Sequence, residues 1–146
     1  MNPYQDYEAI SGTYGKVYEE GKWLAQFHSV KTDAEAKYAD VPQAGNNTMG
    51  KKYMGEEYTG TAVCKHYETE FKKRLARSKD PNQKPFVTDW LVALEDPAAI
   101  GYEKVRLYGV KFTKWPIIGF EHGSLEDLEF EFTFRDYEYV EEIAAR

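Results

Sequence analysis

The clearest pattern in the chain is a strict alternation of apolar and polar residues near its C-terminal end. The apolar positions are Leu128, Phe130, Phe132 and Phe134, and the polar positions between and after them are Glu129, Glu131, Thr133 and Arg135. A period of two predicts a β-strand that buries its phenylalanine face. The phase changes around Asp136, after which Tyr137 and Tyr139 share a face.

Further short runs predict more strands. "GKVYEEGKWLAQF" places Val17 and Trp23 on either side of a Glu-Glu-Gly-Lys turn, which is typical of a hairpin. "TAVCKHY" predicts a strand that buries Cys64 and His66, and "FVTDWLVALED" predicts one with Trp90, Val92 and Leu94 on one face. In "KVRLYGVKF" the apolar phase changes across Tyr108 and Gly109, which predicts a β-bulge at Gly109.

One segment, "YETEFKKRLARSK", has helical periodicity. Tyr67, Phe71 and Leu75 recur every four residues and form a narrow apolar stripe over residues 67–79. Asp80-Pro81 ends the helix, because a residue before proline disfavours helical geometry. Many strands with one helix among them predict a mainly antiparallel barrel or sandwich.

The segment before the helix is unusual. "SVKTDAEAKYADV" predicts a long extended ribbon with Ala34, Ala36 and Tyr38 on one face. Residues 42–60 predict a glycine-rich loop, with glycine at every fifth position: Gly45, Gly50, Gly55 and Gly60. Strands this long and loops this long are both uncommon in a small domain. The outer half of the ribbon therefore needs some partner other than its own sheet.

Composition limits the possible functions. The 146 residues fit one domain, and the 16% aromatic content with 12 tyrosines favours β-structure. A formal net charge of −6 argues against holding nucleic acid on a basic face. A single cysteine excludes an internal disulfide framework, and no secretory signal or bilayer-spanning apolar stretch is visible in the sequence.

No candidate for catalysis or cofactor binding survives its context. "AGNNTMGKK" resembles a phosphate-binding loop, but Lys52 stands where Ser or Thr would hold magnesium, and glycines interrupt the segment after it. His28, His66 and His122 lack the spacing of a zinc site. We therefore expect no enzymatic activity, no metal and no cofactor. Self-assembly through uncovered strand edges is favoured over the alternative that the ribbon is a mobile hairpin without a partner.

Four stretches in order carry a resemblance to a known family. They are "ISGTYGKVYEEGK", "MGKKYMGEEYTGTAVCKHY", "VRLYGVKF" and "LEDLEFEFTFRDYE". Together they resemble the tail tube proteins of contractile-tailed phages, in particular those of defective prophages and phage-tail-like bacteriocins of Gram-positive bacteria. The resemblance runs from about Ile10 to Glu142 and depends on the order and spacing of soft motifs.

The resemblance implies one domain over residues 1–146, with two packed antiparallel sheets and one flanking helix. Six subunits would form a ring, and stacked rings would form the hollow inner tube of a tail. Residues 34–59 would contact the adjacent ring, and the helix over residues 67–79 would lie on the outside. The arm before Ser11 and the tail after Tyr137 would add contacts between subunits.

The resemblance also implies particular contact residues and partners. Residues expected between subunits are Tyr38, Asn46, Asn47, Met49, Lys51, Lys52, Tyr53, Met54 and Tyr58, with the four glycines shaping the loop. Glu129 and Glu131 are candidates to line the lumen, where acidic groups would repel passing DNA. Expected partners are other copies of the chain and the sheath, tape measure, baseplate and terminator proteins. DNA would only be passing cargo, and no stable membrane association is expected.

The implied site of synthesis is the bacterial host cytoplasm, with assembly into the tail of a virion or phage-tail-like particle. Two alternatives stay open at this point. One is a monomeric β-barrel that binds a small ligand in its interior, and the other is the tube of a type VI-like injection system.

Overall fold

The computed structural model describes residues 6–8, 12–45, 47–65, 70–76, 82, 85–99, 101–125 and 127–142. Among these residues, eight strands and one helix follow two short 3₁₀ turns, Asp6–Glu8 and Gly12–Tyr14. The strands are β1 Gly15–Glu19, β2 Lys22–Trp23, β3 Phe27–Val41, β4 Gly50–Lys65, β5 Thr88–Leu94, β6 Glu103–Lys114, β7 Asp127–Thr133 and β8 Asp136–Glu141, and the helix α1 spans Glu70–Ala76. All pairings are antiparallel, in the order β2-β1-β5-β6-β7-β4-β3, with β8 also paired to β6. The predicted mainly β class is confirmed.

Strand β6 bends and belongs to both halves of the sheet. Its residues 104–108 pair with β8, whereas from Lys111 onward it pairs with β7. The predicted bulge lies at the bend, where Gly109 has a φ of +64° and its N–H donates to Asp89 Oδ1 at 3.0 Å. In the break between β7 and β8, the Arg135 N–H donates a hydrogen bond to the Tyr108 carbonyl at 2.8 Å. The two expected sheets are thus two halves of one folded sheet.

The two halves close over a core of aromatic rings. All four apolar residues of the predicted phenylalanine face, Leu128, Phe130, Phe132 and Phe134, are buried. Trp90 is fully buried and lies 5.2 Å from Phe27 and 5.4 Å from Phe132, measured between ring centroids. Because Phe27 begins β3 at one edge and Trp90 lies in β5 beyond β6, these contacts join both halves of the sheet.

The helix packs against the same core. Phe71 and Leu75 are buried as predicted, while Tyr67 lies outside the described residues. Phe71 contacts aromatic rings from β3, β5, β6 and β7, so one side chain joins four strands. The buried carboxylate of Glu19 accepts hydrogen bonds from the Arg74 guanidinium of α1 and from the Trp90 indole, and so holds the helix to the sheet.

The two predicted turn regions have different outcomes. The hairpin at residues 19–22 is confirmed, with Glu20 and Gly21 as its two turn residues. The glycine-rich loop over residues 42–60 is wrong from Gly50 onward, because that segment is the first part of β4. β3 pairs with it from Val41–Gly50 to Thr32–Gly60, with one register shift between Lys37 and Tyr38, and only residues 42–49 remain as a turn. This segment is a strand because its backbone forms hydrogen bonds with β3. Such bonds do not require alternating apolar residues, so the sequence pattern does not reveal the strand.

Position 60 requires glycine because the ring of Phe132 leaves no space for a Cβ atom. A Cβ at this position would lie 2.6 Å from Cε2 of Phe132 and 3.0 Å from the Lys31 carbonyl oxygen. The Phe132 ring cannot move aside, because it is 1% exposed and packed against Trp90 and Phe112. The backbone of β4 therefore lies directly beneath an aromatic ring at the point where the strand leaves the sheet.

We predict that Gly60→Ala lowers the free energy of unfolding by about 1–3 kcal/mol, as overpacking of a filled core does. In a Phe132→Leu background the same change should cost much less, because the ring that collides with the new methyl group is gone. Chemical denaturation of the four proteins measures this coupling. Gly12→Ala is the matched control, since a Cβ at Gly12 meets no atom within 4 Å. Equal costs in both backgrounds would contradict the explanation.

Candidate assembly surface: the β3–β4 ribbon

The outer parts of β3 and β4 form a two-stranded ribbon that extends from the body. β7 pairs with β4 only over Thr59–Lys65, so residues 34–41 and 50–58 pair with each other alone. We call these residues, with the turn 42–49, the ribbon. Eight residue pairs give it a length of about 25 Å. Both strands of the ribbon are mostly exposed to solvent.

One face of the ribbon continues the buried face of the sheet. The strand register places Ala34, Ala36 and Tyr38 opposite Tyr58, Glu56 and Tyr53, which confirms that the three β3 residues share a face. The rings of Tyr38 and Tyr53 lie 5.8 Å apart, and each is more than half exposed. We call this side the aromatic face. It extends the core pattern into solvent without a covering layer among the described residues.

Tyr58 connects the aromatic face to the body. Its ring stacks on Phe134 at 5.3 Å and meets Tyr137 edge-on at 5.2 Å. Its hydroxyl donates to the Glu56 carboxylate, and this bond raises the pKa of Tyr58 to about 12. Hydrogen bonds from Tyr58 and Tyr53 lower the pKa of Glu56. Glu56 therefore remains ionised at neutral pH on an otherwise aromatic surface.

The opposite face of the ribbon carries charges that pair within the chain. Lys37 Nζ lies 3.1 Å from a Glu35 oxygen and 3.5 Å from a Glu57 oxygen, and both contacts raise the pKa of Lys37. These exposed pairs contribute little to stability, because water screens them. The register places Glu35, Lys37 and Glu57 on this face and leaves the tyrosines to the other.

Of the two lysines predicted to pair with another subunit, Lys51 forms an ion pair with Asp40 across the ribbon. Lys52 forms no ion pair with any other described residue. Asn47 and Met49 are exposed in or beside the turn, and Asn46 lies outside the described residues. Met49 and Met54 are more than half exposed, so the end of the ribbon presents apolar atoms to solvent.

The four predicted loop glycines have separate roles. Gly45 lies in the turn with a φ of +76°, and Gly55 has a φ of +117° beside the register shift between Lys37 and Tyr38. Gly50 begins β4, and Gly60 lies beneath Phe132 of its own chain. The residues that follow the phosphate-loop pattern of residues 44–52 belong to β4. The helix that a phosphate loop requires therefore does not form there.

Glu129 and Glu131 lie on the outward face of β7, opposite the phenylalanines. Glu131 pairs with Thr61, which pairs with Lys31 on the next strand. Lys111 pairs with Thr133 on the same face, and Lys65 forms an ion pair with Asp127 at 2.6 Å. This surface therefore carries both signs of charge. That the two glutamates line a lumen stays a prediction.

Sequence reasoning missed a second exposed apolar surface. Residues 115–125 connect β6 to β7, and we call them the β6–β7 loop. Its side chains Ile117, Ile118, Phe120 and Leu125 are each at least 80% exposed. The apolar run "WPIIGF" could have indicated this surface. It has neither a helical nor a strand period, however, and so predicts no secondary-structure element.

Other chemistry finds little support in the described part of the chain. No three of its His, Cys, Asp or Glu residues are grouped so that they could hold a metal ion. None of its helices is both long enough and apolar enough to cross a membrane. Cys64 is buried beside Ala62 as expected, while His66 lies outside the described residues.

Known proteins are similar to this chain in sequence or in fold. A family model described as "Phage tail tube protein" matches residues 3–141. Two proteins of Bacillus subtilis (strain 168) align over 92% of this chain and 92% of their own length: the uncharacterized protein YqbM at 29% identity and the phage-like element PBSX protein XkdM at 28%. The sheath–tube complex of an extracellular contractile injection system, in its extended state, contains a chain of similar fold. The TM-score is 0.72 at 16% identity, covering 90% of this chain and 93% of that one.

We predict that Glu56→Gln lowers the pKa of Tyr58 from about 12 toward the ordinary value of 10, because the hydroxyl then loses a charged acceptor. A tyrosine whose pKa is raised by folding stabilises the folded state. This contribution is fully present below pH 10, the ordinary tyrosine pKa, and is lost as the pH rises from 10 to 12. An NMR titration of tyrosine labelled at Cζ with carbon-13 measures the pKa. Glu57→Gln, on the opposite face of the ribbon, is the control and should leave Tyr58 unchanged. A Tyr58 pKa that is the same in all three proteins would contradict the assignment.

Proposed function

The chain belongs to the phage tail tube protein family and is a structural component of the tube; we propose that six copies form a ring and that rings stack into the hollow inner tube of a tail. The observation that carries this proposal is the ribbon, whose aromatic face has nothing covering it in the described chain. The segment proposed to contact the adjacent ring is residues 34–59, as the resemblance implies, and this segment contains the ribbon.

An isolated two-stranded ribbon is a poor structure in water. Two strands alone are marginally stable, and they become stable when a third strand or another surface covers their apolar face. Here the exposed side chains include Tyr38, Tyr53 and Met54. Exposed apolar surface of this kind marks a contact site, and tyrosine and methionine are enriched in such sites. A second copy of the chain supplies that cover.

The open strand edges support ring formation. β3 is the last strand on one side of the sheet, and its 15 residues have no strand along the outer edge among those described. A long free edge invites uncontrolled pairing, and joining edges between subunits removes it. β8 pairs with β6 through one edge only, so the residues after Tyr137 can also pair with a neighbour. We propose that six sheets join in this way around the lumen.

The remaining assignments depend on this arrangement. The helix, predicted over residues 67–79 and described over Glu70–Ala76, faces outward toward a sheath protein. Glu129 and Glu131 line the lumen, with DNA as passing cargo. Tape measure, baseplate and terminator proteins bind the tube or its ends. The arm before Ser11, of which only Asp6–Glu8 is described, contacts a neighbouring subunit. The particle is assembled in the host cell.

A ligand-binding barrel fits the interior less well. Such a barrel needs a roomy apolar cavity, whereas the space between the two halves holds Trp90, Phe112, Phe130 and Phe132 in mutual contact. Packed rings at these distances leave no room for a ligand of ordinary size. The second alternative, a tube of a type VI-like injection system, would use the same surfaces and differs in its partners.

We predict that the purified, concentrated protein forms hollow tubes in negative-stain electron micrographs, and that a shortened ribbon abolishes them. The shortened variant joins Glu35 directly to Glu57 through an Asn-Gly turn, which keeps the register because these two residues pair. It removes exposed residues outside the core, so the thermal midpoint should stay within a few degrees of the wild-type value.

The control is Lys22→Ala, which changes an exposed residue of β2 outside the ribbon and should leave tubes intact. Tubes formed by the shortened variant would contradict the assigned role of the ribbon. Monomers at every protein concentration and salt condition tested with the wild-type chain would contradict the tube itself.

A further inference from the structure

We propose that the β6–β7 loop is the surface that receives the end of the ribbon from a second copy of the chain. This inference rests on the stacked assembly proposed above and names the acceptor within it. The ribbon end presents Tyr38, Met49, Tyr53 and Met54, all more than half exposed. The acceptor combines the exposed apolar side chains of the loop with a basic groove beside helix α1.

The loop presents the most exposed apolar side chains of the described chain. Ile117, Ile118, Phe120 and Leu125 are each at least 80% exposed, within nine consecutive residues. Single exposed apolar residues are ordinary, but a contiguous group marks a contact site. Two isoleucines and a phenylalanine at the surface would otherwise be a cause of nonspecific aggregation.

The base of the loop is held in place by a buried lysine. Lys72 of α1 is 8% exposed, and its Nζ donates to the Ile117 carbonyl at 3.0 Å. A groove of about 530 Å³ lies between the helix and the start of the loop. Its lining includes Lys73, Lys114, Trp115 and Pro116. The acceptor surface is therefore held in a fixed position, because its base is bonded to the helix that packs on the core.

The loop and the ribbon lie at opposite ends of the same strand. β4 runs from Gly50 in the ribbon to Lys65, and Lys65 pairs with Asp127, which comes directly after the β6–β7 loop and residue 126. The sixteen residues of β4 span about 50 Å. When subunits stack in one orientation, the ribbon of one ring points toward the loop end of the next. A contact between two different ends of identical subunits repeats without closing, and this generates a filament.

The charges of the two surfaces are complementary. On the aromatic face, Asp40 and Lys51 neutralise each other, which leaves the carboxylate of Glu56. The groove contains Lys72, Lys73 and Lys114, and none of the described residues that line it is acidic. Lys73 and Lys114 form no ion pair with other described residues. An acidic, aromatic ribbon therefore fits a basic, apolar groove, and repetition around a ring strengthens a contact that is weak by itself.

Cross-linking between introduced cysteines tests the contact directly. The chain that carries both Met54→Cys and Ile118→Cys is concentrated and treated with a short bis-maleimide. Each subunit then offers one ribbon end and one acceptor, so denaturing gels should show a ladder of linked multimers. Either substitution alone should give unlinked chains, since the native Cys64 is buried. Met54→Cys with Trp23→Cys is the matched control, because Trp23 is also about half exposed but lies on the β2 edge.

Ile118→Asp with Phe120→Asp provides a second measurement. These exposed substitutions should leave the thermal midpoint unchanged and raise the protein concentration needed for pelletable tubes at least about tenfold. Tubes in the micrographs without a ladder from the Met54→Cys, Ile118→Cys chain would overturn the acceptor and leave the tube proposal standing. Dimers from Ile118→Cys alone would also overturn it, because they indicate a symmetric contact. Absence of tubes in every condition would overturn both proposals.

Discussion

The bend of β6 at Gly109 is the constraint on which the rest of the structure depends. One strand pairs with β8 before the bend and with β7 after it, and a left-handed residue makes that change of partner possible. The break between β7 and β8 lies beside it on the neighbouring chain segment. Because the sheet folds there, aromatic rings of β5 and β7 come into contact, and helix α1 packs against four strands. Without the fold, these aromatic residues would lie on one open surface.

The folded body fixes β4 firmly at one end and leaves it free at the other. From Gly60 to Lys65 the strand lies between β3 and β7 and buries Ala62 and Cys64. From Gly50 to Glu57 it has β3 as its one partner. The same face that buries Ala62 presents Tyr58 and Tyr53 farther out, so a core pattern becomes a contact surface along one strand. One part of β4 thus stabilises the fold, and the other part forms the ribbon that is proposed to act in assembly.

The sequence predicted those features that local periodicity encodes. The phenylalanine face of β7, the bulge at Gly109 and the helical pair Phe71 and Leu75 each produce a pattern within ten residues. The outer half of β4 could not be predicted, because a strand without a buried face needs only cross-strand hydrogen bonds and tolerates glycine at every fifth position. The Lys51–Asp40 pair requires the hairpin register, and the exposed β6–β7 loop has no period at all.

The position of β3 and β4 along the chain has a consequence for synthesis. They are neighbours in sequence and pair through a short turn, so the ribbon can form while the chain is still being made. β5 to β8, and the β6–β7 loop among them, leave the ribosome later. A nascent chain therefore carries the ribbon before it carries the loop that is proposed to accept it. The two surfaces of the proposed contact are therefore present in one chain only after the β6–β7 loop has been translated.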